Sequence, residues 1–262
     1  MTGASGQAQD LQKQVQNLQN ELNQLRTNNQ AIWYLLVQIG NRLQRASTSV
    51  KTAVSSLMDY DIFWDETTQY EFLQAIDSST DELSDLIVLM TLAFRSQAKT
   101  LEIETEPNML QEILVTIQDN FAKNERGVKI AANYPPDGKP ILVDYQYLSV
   151  ALGLLIEAII SEDKEVTQLS LQVTESTTGW QLQIDDLKPS IISIILQLFA
   201  QSNDISTIVH QILPENTLKL MTACRILYLQ NIELCRQNTA EKNTTLCLSI
   251  PIAINLASTQ QL

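Results

Sequence analysis

The sequence predicts an α+β protein: an N-terminal coiled coil running into a dimeric four-helix bundle, then an α/β sandwich of a mixed sheet with helices on one face. Two observations predict it. Apolar residues recur in alternating steps of four and three from Leu11 to Leu57, the period of a helix that buries one stripe. Beyond residue 100 the period changes to two, as in TQLSLQVTES and WQLQIDD, which is the pattern of strands. Glycine is scarce, 7 in 262 residues, less than half the usual share of about 7%. Loops that need left-handed backbone or a close approach to phosphate therefore have few residues to be built from.

The first helix places Val15, Leu22, Asn29, Leu36, Leu43, Val50 and Leu57 at heptad position a, and Leu18, Leu25, Ile32 and Ile39 at d. One long helix cannot bury such a stripe alone. Asn29 is the polar member of the seam, and an a-position Asn pairs best with its own copy in a parallel two-stranded coil. The expected dimer seam is thus Leu18, Leu22, Leu25, Asn29, Ile32, Leu36, Ile39, Leu43 and Val50. From Ile32 the flanks turn apolar, as in IWYLLVQIG, so a wider bundle takes over there, with Trp33 and Tyr34 packing in it. DYDIFWDETTQ breaks the pattern and connects to a second helix over about 66–99, where Phe72, Ile76, Ser79, Leu83, Leu86, Met90 and Ala93 continue the spacing. The expected domains are 1–35, a coiled coil; 36–100, a helical hairpin; and 101–262, the α+β domain.

Within the last of these, TLEIETE reads as a short strand and 108–124 as a helix. VKIAANY reads as a strand, YPPDGKP as a turn, and ILVD as the lead into a helix carrying Leu148, Ala151, Leu152, Leu155 and Ile159. TQLSLQVTES and WQLQIDD, joined at Gly179, form a hairpin. Helices over about 191–201 and 218–228 and strands near 231–236 and 244–251 complete the domain.

Composition excludes several functions. With 17 Lys+Arg against 30 Asp+Glu the net charge is −13, a field that repels nucleic acid and anionic lipid. A single histidine, His210, excludes chemistry needing two, such as HExxH zinc sites. His210 is expected to be an ordinary side chain well away from the bundle. Cys224, Cys235 and Cys247 have no metal spacing and are expected to be buried reduced thiols. No metal site is expected. MTGASGQAQDLQKQ lacks a signal-peptide pattern, and no apolar stretch approaches the roughly 18 residues of a membrane span. A cytoplasmic protein, without membrane insertion and without nucleic acid, is expected.

Four segments carry a resemblance through their shared order: STSVKTAVSSL (47–57), GLLIEA (153–158), DLKPSI (186–191) and TLKL (217–220). They resemble the transmitter core of sensor histidine kinases, whose boxes commonly run SHELRTPLTSI, NLLxNA, DxGxGI and GLGL, over about residues 36–254. PILVDYQYLSVALGLLIEAI and TTLCLSIPI match the structural positions of its GHKL-type ATP-binding domain. The resemblance places Thr48 where the family's phospho-acceptor His stands, at an outward-facing f position. A hydroxyl cannot form the labile phosphoramidate that an imidazole does. Gly153 and Glu157 replace the Asn-rich box, Glu157 standing for the metal-binding Asn. Asp186 is the retained adenine-reading acid, and Lys188 and Ser190 replace its two glycines. Thr217 and Lys219 replace those of GLGL, which opens a helix towards the phosphates.

The resemblance therefore implies a catalytically inactive, degenerate kinase-like signalling protein. No cofactor is expected; ATP and Mg²⁺ are disfavoured. It would form a parallel homodimer and regulate or scaffold a two-component partner, a response regulator or an active kinase, through Arg45, Thr48, Lys51 and Thr52. Two other functions stay open: an ATP-binding protein with residual phosphotransfer, and a coiled-coil adaptor with no link to nucleotide.

Overall fold

The computed structural model describes residues 3–58, 64–122, 128–135, 138–163, 165–176, 179–200, 205–238 and 244–253, with side chains from residue 12 onward. Residues 59–63 of the expected interhelical connection, 136–137 of the YPPDGKP turn, and the predicted helix ends at 123–124 and 201 lie outside them. The chain divides into two units, residues 1–87 with 202–215, and residues 88–201 with 216–262.

The first unit is built on α1 (Gly3–Leu57), the opening part of α2 (Glu66–Gln97) and the one-turn α6 (Ile205–Ile208). Asp65 starts α2 by accepting a hydrogen bond from the Thr68 amide, 2.7 Å, and this bond holds its carboxyl below the ordinary value. Trp64 stacks edge-on against Phe72 and donates its indole N–H to the Ser56 carbonyl, 2.9 Å, bringing the start of α2 beside the end of α1. Farther along, Ser79 bonds Ser49 at 3.1 Å, and Glu82 pairs with Arg42.

Ala31, Leu35, Ile39, Ala46 and Ala53 of α1 are buried in this unit. Leu18, Leu22, Leu25, Asn29 and Ile32 of the expected seam are exposed within the single chain, and Leu36, Leu43 and Val50 are half-buried. The asparagine that is buried is Asn28, beside the seam, whose side-chain oxygen accepts the Ile205 amide at 3.2 Å. Trp33 is exposed within the single chain, on the flank of α1 away from the buried residues.

The second unit holds a five-stranded mixed sheet in the order β2-β4-β5-β7-β6, comprising β2 (Lys129–Asn133), β4 (Gln168–Glu175), β5 (Gly179–Ile184), β7 (Thr244–Pro251) and β6 (Glu233–Asn238). Only β2 and β4 are parallel, as a crossover through a helix requires; that helix is α4 (Tyr145–Glu162). A separate two-stranded ribbon pairs β1 (Glu106–Asn108) with β3 (Ile141–Val143). TLEIETE (100–106) is therefore strand only at its last residue: β3 offers three residues to pair with, and the ladder fixes the strand at 106–108. Alternation sorts the large sheet into two faces. Leu182, Ile184, Leu246, Leu248 and Ile250 are buried in the core, while Gln181, Gln183 and Ser249, at alternate positions, occupy the opposite face.

α3 (Leu110–Ala122), α4, α5 (Pro189–Phe199) and α7 (Pro214–Leu229) complete the core. Asp144 caps α4 by accepting the Tyr147 amide at 3.0 Å, and Leu148, Leu152, Leu155 and Ile159 beyond it are buried. Gly179 begins β5 because a Cβ there would stand 2.2 Å from the Ile250 carbonyl oxygen; only glycine allows that strand approach. Among the described residues no helix is long and apolar enough to cross a membrane.

Candidate functional site

The residues expected around a nucleotide are brought together in the second unit, but they are engaged with one another. On α4, Glu157 follows Gly153 by one turn, so both lie on the same face. Lys219 of α7, largely buried, reaches the Glu157 carboxylate at 3.1 Å. Lys188, the residue before α5, reaches Asp163 at the end of α4, 2.9 Å. That bond and the nearby acidic charge raise its pKa. Asn216 of α7 donates to Glu162 at 2.6 Å. Three charge-assisted bonds thus tie α4 to α7 and to the loop before α5, and Lys188 and Lys219 stand at positions expected to be glycine-like.

Two helix starts explain the arrangement. Pro189 takes the first position of α5, where its fixed φ fits and its missing N–H is no loss. Lys188 is thereby left extended in front of it, free to reach Asp163. Similarly, α7 begins at Pro214 rather than at the expected position near Leu218. TLKL does not open the helix. It lies within the first two turns, where from Leu218 onward the amides are used by the helix itself, whereas an opening sequence would present them to an anion. Thr217 is fully buried. Asp186, expected to face the base, is exposed, with φ of 59°; Ser190 is exposed as well. The acid turned towards the sheet is its neighbour Asp185, which accepts from Thr245 Oγ1 at 2.9 Å.

The second candidate surface lies in the first unit. Thr48 is exposed at the f position, and its hydroxyl donates to the Gln44 carbonyl at 2.8 Å, the ordinary back-bond of a helical threonine. Asn41, Gln44, Arg45 and Thr48 line an open hollow. Lys51 and Thr52, three and four residues on, continue the same exposed face.

Three features escape the sequence reading. His210 is not remote from the helical half: its ring packs at 5.3 Å on Tyr34 of α1. Glu215 joins Glu82 on Arg42, so residues 205–215 belong to the first unit although their sequence neighbours belong to the second. Cys235 is exposed, against the expectation of burial, because it lies on the outer face of edge strand β6; Cys224 and Cys247 are buried. Among the described residues no group of three or more metal-ligating side chains occurs.

No protein-family model and no curated protein matches the chain. Solved structures do. A histidine kinase of Acinetobacter baumannii, AdeS, superimposes with a TM-score of 0.55 at 14% identity, covering 81% of this chain and 98% of that one. Full-length ShkA, solved in complex with AMPPNP, gives 0.54 at 14% identity over 84% of this chain and 46% of ShkA. The chain thus has the α+β fold of a sensor histidine kinase transmitter core, with a long helical N-terminal region followed by a mixed five-stranded sheet and helices.

Proposed function

We propose that this is a kinase-like signalling protein without phosphotransfer chemistry, acting by protein–protein binding on a two-component partner. The observation that carries the reading is the Glu157–Lys219 pair. Two positions that the resemblance assigns to Mg²⁺ and to the phosphate-facing helix are occupied by opposite charges bonded to each other. Surface pairs are worth little, about 1 kcal/mol or less, so the pair matters as occupancy rather than as stability.

Magnesium nucleotide does not fit the residues present. The surrounding segments carry Glu157, Glu162, Asp163, Asp185 and Asp186 against Lys188 and Lys219, an excess of carboxylates facing a polyanion. The α7 amides from Leu218 onward are spent within the helix. Thr48 supplies no imidazole at the acceptor place.

The binding surface we assign is the face of α1 formed by Arg45, Thr48, Lys51 and Thr52, with the hollow at Asn41 and Gln44 beside it. Its two cations suit an acidic receiver domain of a response regulator. The seam residues from Leu18 to Ile32, open in the single chain, support a parallel homodimer through α1, and two such chains would bring four helices together.

Calorimetric titration with Mg·ATP should give no heat of binding, and a receiver captured by the full chain should be lost at least tenfold in affinity by Arg45→Glu with Lys51→Glu. Micromolar nucleotide binding would overturn the catalytic half of the reading. Retention of the partner by the charge-reversed protein would overturn the surface.

A further inference from the structure

Cys235 on β6 and Cys247 on β7 are directly opposed in antiparallel register. Opposed residues in such a pair have Cα atoms about 4.5–5.5 Å apart, within the range of about 4.4–6.8 Å that a disulfide spans. Both side chains lie on the outer face, where Gln183 sits opposite Cys247 on the other side. Gln183 also donates to Gln237 at 3.3 Å, an amide bridge that crosses β7 beside Cys247. Cys247 is fully buried, and Cys235 is exposed on the edge strand. One thiol can meet a reagent from solution, and its partner is already in place behind it.

We propose that Cys235 and Cys247 are a cross-strand dithiol, a modification site that small-molecule disulfides oxidise to an intrachain disulfide. Cys235 gives up its proton to solvent, and its thiolate attacks one sulfur of the reagent RSSR. The reagent bond breaks, releasing RS⁻ and leaving Cys235–S–S–R. Cys247 then loses its proton and attacks the Cys235 sulfur, expelling the second RS⁻, so that two thiols and RSSR become one protein disulfide and two RSH. Burial and the neighbouring Cys235 push the Cys247 thiol up to about 12, so the order is fixed, with Cys235 reacting first. In reducing surroundings the pair rests as thiols. Oxidation pins edge strand β6 to β7.

The full chain, treated with excess glutathione disulfide, quenched in acid and alkylated after denaturation, tests this directly. Of the three cysteines, only Cys224 should remain alkylatable, with a loss of two hydrogens in intact mass and a non-reduced peptide joining 235 to 247. Cys247→Ser, and Cys247→Ala as a control for folding, should both stop at the glutathione adduct on Cys235. Cys235→Ser should react at least tenfold more slowly. A wild-type protein that stays at the adduct overturns the proposal, as does one that links through Cys235 to a second chain or reacts equally fast without Cys235.

Discussion

Along α4, Leu148, Leu152 and Leu155 are 0% exposed, whereas on α1 Leu18, Leu22 and Leu25 leave 64%, 49% and 64% of their surface open. The contrast extends to the polar positions. In the α+β unit the residues that stand in the resembled nucleotide boxes are bonded across it, Glu157 to Lys219 and Lys188 to Asp163. In the helical unit Thr48 stays on an open face beside Arg45 and Lys51. One unit is satisfied by its own chain and the other is not. Burying a leucine is worth roughly 1.5–3 kcal/mol, a gain that α4 realises within the chain and this stretch of α1 does not.

The largest effect that would sharpen this contrast comes from truncating one leucine in each unit. Leu155→Ala should cost about 3 kcal/mol in urea unfolding, because transfer and cavity terms add in a closed core. Leu22→Ala should leave that transition within about 0.5 kcal/mol and instead weaken self-association in sedimentation. A large loss of unfolding stability from Leu22→Ala in dilute, monomeric protein would erase the distinction.

A smaller effect is alkaline. Burial pushes the Cys224 thiol up to about 12, and Cys247 likewise, from an ordinary value near 9. Below pH 9 both thiols are protonated whether the chain is folded or not, so they give no pH dependence. Between 9 and 12 the unfolded chain releases protons that the folded one holds, and stability falls by up to about 1.4 kcal/mol per pH unit for each thiol. Because both lie in the α+β unit, the tryptophan signal of Trp180 should be lost on alkaline titration before the helical circular dichroism. Simultaneous loss would mean that the two units melt as one. Least of all, Glu157→Gln should change unfolding free energy by less than about 1 kcal/mol; a much larger loss would make the pair a structural element rather than an occupant of the site.

Where periodicity is long, the sequence is easily read: the stripes of α1 and α2, the β4–β5 hairpin and β7 follow from spacing alone. The errors have local physical causes. The strand expected over TLEIETE (100–106) lies instead at 106–108 because strand position is set by its partner, which no local pattern encodes. α7 began three residues upstream of TLKL because proline at 214 is a good first helical residue. Asn28 is buried within the chain because residues 205–208 pack beside the heptad seam, a contact across 177 positions of chain. At the candidate site, the order of the boxes was legible in the sequence. The pairing of Glu157 with Lys219 was not, since nothing in either segment announces the other.

That pairing also shapes the mutational paths open to this chain. Restoring an asparagine at 157 first would leave Lys219, little exposed, without that carboxylate beside it; restoring a glycine at 219 first would put a flexible residue in the first turns of α7 at roughly 1 kcal/mol and leave the acid facing any incoming phosphate. Either single step is uphill before nucleotide binding could repay it, and Lys188 and Ser190 would still have to follow. On the function proposed above, building a nucleotide site here would therefore take several coordinated substitutions, and the chain would act through what its surfaces can recognise.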